Sequence, residues 1–126
     1  MFEIVKSRHV AQKSDFPVIT INKKYVRFNL SCTNLILKEL GYIPKFVQLF
    51  IDRSTNQIGV HFTEEPVSQS RKLSSVKSKK ENNRIASLIT YISDDTYATF
   101  KDISHRLNAK FEMVDGIRLL IGSKAE

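Results

Sequence analysis

Hydrophobic and polar residues alternate along three short stretches in the first half of the chain. The stretches are residues 24–30, 46–51 and 57–62, and a period of two is that of a β-strand with one face against a core. The polar residues 52–56 between the last two stretches predict a hairpin loop. The side chains assigned to the core face are Val26, Phe28, Leu30, Val47, Leu49, Ile51, Ile58, Val60 and Phe62.

A short helix is predicted between the first two of these strands, from Cys32 to Leu40. Ser31 is a suitable N-cap, and Gly41 stands where a left-handed C-cap is wanted. The apolar side chains cover one broad face, so the helix is expected to pack on the core. They are Leu35, Ile36, Leu37 and Leu40.

The second half of the chain repeats this order of elements. Residues 86–92 predict a strand, and Ser93 with the two acids after it supplies N-cap chemistry for a second helix. Apolar residues then recur at spacings of three and four, which extends this helix to about Asn108 and places His105 and Arg106 on its polar face. The apolar residues are Tyr97, Phe100, Ile103 and Leu107.

The second half ends in a predicted hairpin. Its strands are residues 110–114 and 117–121, and they flank Asp115-Gly116. An Asp-Gly pair is favoured in two-residue hairpin turns because both positions need positive φ. Strand, helix and hairpin therefore occur twice, over residues 24–63 and 86–122.

The predicted fold class is α+β, a mostly antiparallel β-sheet or small barrel with two short helices, built from two similar β-α-β-β halves. Residues 1–66 are expected to form the N-terminal half and residues 85–126 the C-terminal half of one compact domain. Residues 2–6 and 17–21 predict additional strands. Residues 67–84 contain many serines and lysines and little that can be buried, which predicts a basic flexible linker or long loop.

The charge distribution indicates what kind of partner to expect. The net charge is +7 and the isoelectric point is near 9.6. Residues 67–84 alone hold six Lys or Arg against one Glu. Such a segment favours a polyanion, either nucleic acid or an acidic membrane surface, although lysine-rich segments also serve solubility alone. No apolar run is long enough for a membrane helix, so we expect a cytoplasmic protein of a bacterium or a phage-infected host cell, without membrane association.

Several kinds of chemistry have no motif in this chain. Cys32 is the single cysteine, which excludes an internal disulfide, and the three histidines have no ligand spacing. Asp94, Asp95 and Asp102 are better explained by a helix N-cap and a solvated helix position than by a metal cluster. Phosphate-binding loops and nucleophile motifs are also missing. The sequence therefore predicts a protein that is not an enzyme and that has no cofactor, metal or catalytic residue.

The faces of the three strands that are not assigned to the core mix aromatic, basic and amide side chains, which suits stacked bases and phosphates. Phe46 and Phe50 have a second explanation, namely contact with the other half or with a partner subunit. Lysines at the turn that precedes Tyr25 and lysines in the basic segment, residues 67–84, add candidate phosphate contacts. The candidate nucleic-acid-binding residues are Lys23, Lys24, Tyr25, Arg27, Phe46, Phe50, His61, Lys72, Lys77, Lys79, Lys80 and Arg84.

The unit from Val26 to Phe62 resembles the AbrB/MraZ swapped-hairpin DNA-binding family. The likeness lies in the strand before the helix, the Leu40-Gly41-Tyr42 helix end and the aliphatic hairpin that follows. Two such units in one chain resemble the MraZ arrangement. The resemblance implies a small, usually oligomeric barrel that contacts duplex DNA through basic loops and strand faces.

Three functional hypotheses follow. The first is single-stranded DNA binding through the aromatic and basic sheet face together with the basic loop. The second is an AbrB/MraZ-like transcriptional regulator that places Lys23, Lys24 and Arg27 on the backbone phosphates of duplex DNA. The third is a structural or virion-type assembly protein whose aromatic face is a protein interface. A homodimer is expected, since a twice-repeated half-barrel either closes on itself or leaves edges that pair.

Overall fold

A computed structural model describes residues 16–78, 84–103 and 105–124. The strand predicted at residues 2–6 lies outside these ranges. Nine strands and two helices are present in the described part of the chain. They are β1 (Val18–Ile21), β2 (Tyr25–Phe28), α1 (Leu30–Leu40), β3 (Phe46–Asp52), β4 (Gln57–Thr63), β5 (Arg71–Lys72), β6 (Ser74–Ser78), β7 (Arg84–Tyr91), α2 (Asp94–Phe100), β8 (Arg106–Val114) and β9 (Ile117–Lys124).

The strands form one antiparallel sheet that is nearly closed into a barrel. Their order is β5-β3-β4-β9-β8-β1-β2-β7-β6. β5 and β6 stand at opposite ends of this order but are separated in the chain by Leu73 alone. The two edges of the sheet therefore meet at Leu73, whose side chain is buried. The Arg71 guanidinium donates to Thr96 Oγ1 over 2.8 Å and joins β5 to α2 at the same place.

The two halves exchange their hairpins. β1 pairs with β2 of its own half and with β8 of the other half. β5 and β6 come from the segment between the halves, where β6 pairs with β7 of the C-terminal half and β5 pairs with β3 of the N-terminal half. The halves also meet directly through the β2–β7 and β4–β9 pairs. The α+β fold of two similar β-α-β-β halves in a small barrel is therefore confirmed.

The predicted flexible linker is wrong for residues 71–78. This segment forms β5 and β6, and residue 84 already begins β7. The polar composition does not indicate strands because Leu73 is the one hydrophobic residue of this segment that is buried. The segment pairs through its backbone, which supplies the hydrogen bonds that the free edges of β3 and β7 need. A strand that closes a barrel edge with its backbone can remain polar in sequence.

The first helix begins two residues earlier than predicted. Its N-cap is Asn29, whose Oδ1 accepts from Cys32 N over 2.8 Å, and not Ser31. The same Oδ1 accepts from Val18 N over 3.1 Å, and Nδ2 donates to Phe16 O over 3.0 Å. The cap thus also holds the start of β1. Gly41 ends the helix in the left-handed conformation, φ 81°, as predicted.

The second helix is shorter than predicted and ends at Phe100. Ser93 caps it, with Asp94 and Asp95 in the first turn, as expected. Leu107 is buried as an inward residue of β8, opposite Ile19 of β1, and not on a helix face. Ile103 and Leu107 continue the spacing of three and four after the helix ends at Phe100. Ile103 is buried in the turn that follows the helix, and Leu107 is buried in β8.

The hydrophobic core lies inside the barrel and follows the predicted alternation. Most residues assigned to it are buried, and Leu49 and Ile51 pack against it while half-buried. Leu30 is an exception, since it starts α1 and is exposed. Gly122 lies in the tightest part of the core. A Cβ there would stand 3.0 Å from Ile58 Cγ1 and 3.1 Å from an Ile19 methyl group.

No helix in the described residues has both the length and the apolar character needed to cross a membrane.

We predict that Asn29→Ala lowers the free energy of unfolding by about 2 kcal/mol, because it removes an N-cap bond together with two bonds that hold β1. Equilibrium urea unfolding measures this. Asn34→Ala, at an exposed position of α1, is the matched control and should stay within about 0.5 kcal/mol of the natural sequence. Equal stability of the two variants would contradict the role given to Asn29.

Candidate nucleic-acid interface

Two tyrosines from different halves meet on the outside of the barrel. Tyr25 alternates with the buried Val26 on β2 and so lies on the face turned away from the core. Tyr91 of β7 is directly opposite Tyr25, with ring centroids 6.3 Å apart and ring planes at 90°. Tyr91 is 63% exposed, so its ring is available to a ligand.

Two arginines lie beside this pair on the same outer face, in the row of cross-strand neighbours two residues along β2 from Tyr25. Arg27 is opposite Thr20 of β1, and Thr20 is opposite Arg106 of β8. Both arginines are exposed. Because each strand spacing is about 4.8 Å, their Cα atoms lie about 10 Å apart on either side of Thr20.

Lys23 and Lys24 form the tip of the β1–β2 turn and are exposed, as predicted. Asn22 builds this turn, because its Oδ1 accepts from Lys24 N over 2.8 Å and from Tyr25 N over 2.9 Å. The turn therefore holds two cations at the end of β2 next to Tyr25. We call Tyr25, Tyr91, Arg27, Arg106 and the two turn lysines the tyrosine patch.

A second surface lies on the outer side of β3 and β4. Phe50 is 45% exposed and Phe46 is half-buried. His61 Nδ1 lies 2.8 Å from Gln48 Oε1, and Gln48 Nε2 donates to Ser68 O over 2.8 Å. Since the amide oxygen only accepts, Nδ1 carries the hydrogen, and the histidine is held in place by the loop after β4.

Aliphatic residues continue this second surface across β9 and β8. Phe50 is opposite Gly59, and Gly59 is opposite Ile121. A Cβ on Gly59 would be 3.3 Å from Leu119 Cδ1, so Leu119 leans over the glycine. Ile117, at 45% exposed, completes the stripe. We call this face, with Phe46, Phe50, His61 and the aliphatic stripe, the hairpin surface.

The structure therefore divides the predicted face into two surfaces. β2 does not pair with β3 or β4, and β7 with the β5–β6 segment stands between them. Tyr25 and Arg27 belong to the tyrosine patch. Phe46, Phe50 and His61 belong to the hairpin surface.

The cations of the basic segment are also distributed. Lys72 on β5 is exposed directly opposite Phe46, at the edge of the hairpin surface. Lys77 on β6 is exposed opposite Ile85, which is roughly 20 Å along β7 from Tyr91. Arg84 is the first residue of β7, while Lys79 and Lys80 lie outside the described residues.

Sequence reasoning missed Tyr91 and Arg106 as members of this site. Tyr91 follows four successive buried residues of β7, Ser87 to Thr90, so no alternation in the sequence marks its outer face. Nothing local shows that the two tyrosines face each other, because their strands belong to different halves. Arg106 was assigned to the second helix, whereas it begins β8.

The described residues contain no group of His, Cys, Asp or Glu side chains arranged to hold a metal ion. Cys32 is buried in the core. Burial raises the pKa of its thiol to about 12, since the thiolate cannot be solvated there. This side chain therefore packs the core, where the thiolate form is disfavoured.

Comparisons with protein-family models, with curated proteins and with solved structures give no match to this chain. The case for a function therefore depends on the geometry of the two surfaces.

We predict that Cys32 of the folded chain reacts with a thiol reagent at pH 8 far more slowly than in urea. At a pKa of about 12, the reactive thiolate is on the order of one part in 10,000 at that pH, and burial blocks access. The absorbance of the leaving group that the reagent releases measures the rate. The signal reports Cys32 alone, because the chain has no other thiol. Equal rates in the two conditions would place the thiol at the surface.

Proposed function

We propose that this chain is a non-catalytic DNA-binding protein that binds single-stranded DNA through the tyrosine patch. The observation that carries the proposal is the Tyr25–Tyr91 pair, with centroids 6.3 Å apart and Tyr91 63% exposed. Aromatic rings that remain accessible on a sheet face are the usual platforms for unpaired bases.

The positive charges around the tyrosine pair suit the phosphates of a DNA strand whose bases stack on the tyrosines. Arg27 and Arg106 lie in the row beside the tyrosines, and Lys23 and Lys24 stand at the turn next to Tyr25. These cations are placed to contact backbone phosphates while a base stacks on Tyr91. Stacking contributes about 1–3 kcal/mol per base and tolerates every base, since each has a π face. Binding of this kind has little sequence specificity.

Duplex binding by an AbrB/MraZ-like transcriptional regulator is the second candidate. The exchange of hairpins between halves favours it, because the β8–β9 hairpin of the second half pairs with β1 and β4 of the first half. In this alternative Lys23, Lys24 and Arg27 contact phosphates of both DNA strands, and Tyr91 packs against sugar and backbone. The contacts then position the protein without reading bases.

We also propose that two copies of the chain associate through the hairpin surface. Its centre is an apolar stripe of Phe50, Leu119 and Ile117. Its β8 edge carries Lys110 and Glu112, which pair over 3.0 Å within one chain. A twofold interface matches a patch with itself, and a patch with both charges at its edge can place Lys110 of one copy against Glu112 of the other. In this proposal Phe46 and Phe50 contact the second copy of the chain and do not stack on bases.

We predict that the protein binds oligo-dT with an affinity that falls steeply as salt rises, and that Tyr91→Ala and Tyr25→Ala each weaken binding at least about fivefold, because each removes a stacking platform. Fluorescence anisotropy at two salt concentrations measures both effects. Tyr42→Ala, which removes a 41% exposed tyrosine after α1, is the matched control. Phe46→Ala should also bind normally, since Phe46 lies on the other surface.

The same titration with duplex DNA separates the candidates. Equal or tighter duplex binding favours the regulator. Binding to neither ligand at low salt would refute both DNA-binding roles and favour the assembly role. Loss of binding in Phe46→Ala with normal binding in Tyr91→Ala would move the site to the hairpin surface.

We predict that Phe50→Asp converts a dimer, of twice the 14.5 kDa chain mass, into a monomer, because an aspartate in the apolar stripe cannot be buried unpaired. Light scattering after gel filtration measures the mass. Tyr42→Asp, on an exposed tyrosine outside this surface, is the control and should stay dimeric. A monomeric natural sequence at every concentration would disprove this association.

A further inference from the structure

A cleft of about 450 Å³ opens at one end of the barrel, next to the tyrosine patch. It lies where the segment after α2 meets the β3–β4 turn and the end of β9. Lys101 and His105 come from the segment after α2, Arg106 is the first residue of β8, and Lys124 is the last residue of β9. Asp102 and Asn56 are the remaining polar side chains among the lining residues that the structure describes.

The fold forms a cleft at the corresponding place in the other half. There the end of α1 meets the β8–β9 turn and the end of β4, around a space of about 310 Å³. Its described lining residues are Leu40, His61, Phe62, Phe111, Met113, Gly116 and Arg118. Its cation, Arg118, donates to Glu39 O over 3.3 Å and approaches the Glu39 carboxylate at 3.9 Å. The exchanged hairpins thus produce the cleft twice, but the described lining of this copy has Arg118 as its one lysine or arginine, and Arg118 pairs with Glu39. The cationic lining of the other copy is a property of its residues and not of the fold.

Lysines supply much of the positive charge of the cationic cleft. Lys101 and Lys124 line it together with Arg106, and Asp102 is the one carboxylate among the described lining residues. Within the described residues, neither lysine has an ion-pair partner. Three cations on the wall of one concave site raise the local concentration of anions.

His105 forms a fixed part of the wall. Its Nδ1 lies 3.2 Å from Ile21 O, and since a carbonyl only accepts, Nδ1 donates. The ring also stacks on Tyr97, with centroids 6.3 Å apart and planes at 22°. These two contacts join this part of the cleft wall to β1 and α2.

The cleft is continuous with the tyrosine patch through Arg106. This residue lines the cleft and also stands in the row that leads through Thr20 to Arg27. An anion in the cleft therefore lies beside any strand whose bases stack on Tyr25 and Tyr91.

We infer that this cleft binds a phosphate group of the nucleic-acid strand, held by Lys101, Arg106 and Lys124. The inference rests on the proposed function and adds to it a second contact point that fixes the strand relative to the tyrosines. The phosphate is either a terminal monoester or a diester of the backbone. Lysine and arginine supply the charge-assisted donors that phosphate oxygens prefer.

The test combines a double variant with two ligands. Lys101→Gln with Lys124→Gln removes two cations that have no ion-pair partner in the described residues, so the fold should be retained, which thermal unfolding checks. Arg118→Gln removes the cation of the corresponding cleft and is the matched control. Oligo-dT with a 5′-phosphate, with a 3′-phosphate or with neither is titrated at several salt concentrations. Inorganic phosphate is titrated separately by NMR of backbone amides.

The double variant should lower the salt slope of oligo-dT binding by roughly 0.7, because the cleft holds one phosphate and each phosphate contact on a single strand contributes about 0.7. Arg118→Gln should leave the slope unchanged. Tighter binding of one phosphorylated end supports a terminal phosphate, and a lowered slope without preference for an end supports a backbone phosphate. Inorganic phosphate should shift the amides around residues 101–106 in the natural sequence and not in the double variant.

An unchanged slope and no phosphate shifts at the cleft would overturn the inference. If Tyr91→Ala still weakened oligo-dT binding in that case, the proposed function would stand without this site. Phosphate shifts at the cleft in a protein that binds no oligonucleotide would instead support the phosphate site and refute the DNA-binding role.

Discussion

The exchange of hairpins between the two halves is the constraint on which the rest of the structure depends. β1 needs β8 from the other half, and β3 needs β5, so neither half completes its backbone pairing alone. Unpaired strand edges are costly and prone to association. The exchange removes them by running one sheet through both halves until its edges meet at Leu73. The core, the tyrosine patch and both clefts all lie on strands or turns that this exchange brings together.

Local chemistry in the sequence predicted the elements well where the determining residues are neighbours in the chain. The alternation around Val26 and Phe28 gave the correct buried face, and Gly41 and the Asp115-Gly116 turn end their elements as predicted. The same reasoning failed where a distant partner decides the outcome. Leu107 continues a helical spacing but is buried by β1, and the polar segment around Leu73 forms strands because β3 and β7 need it.

The candidate site shows the same limit. Tyr25 and Arg27 were placed correctly on an outer face because alternation within one strand suffices for that. The pairing of β2 with β7 is a long-range contact, so sequence alone could not bring Tyr91 against Tyr25. It also grouped Phe46 with Tyr25, whereas their strands lie on different parts of the barrel. Separating them leaves one surface of tyrosine and arginine and another of phenylalanine and aliphatic residues, which suit different ligands.

The pairing of Val18 with Asn108 has a consequence for how the protein is made. The first strand leaves the ribosome long before its second neighbour is synthesised, and β3 likewise waits for residues 71 and 72. Contacts between residues so distant in sequence form slowly, because the intervening chain must first be closed into a loop. The nascent N-terminal half therefore spends its synthesis with open strand edges, and folding can finish only after the C-terminal hairpin has emerged.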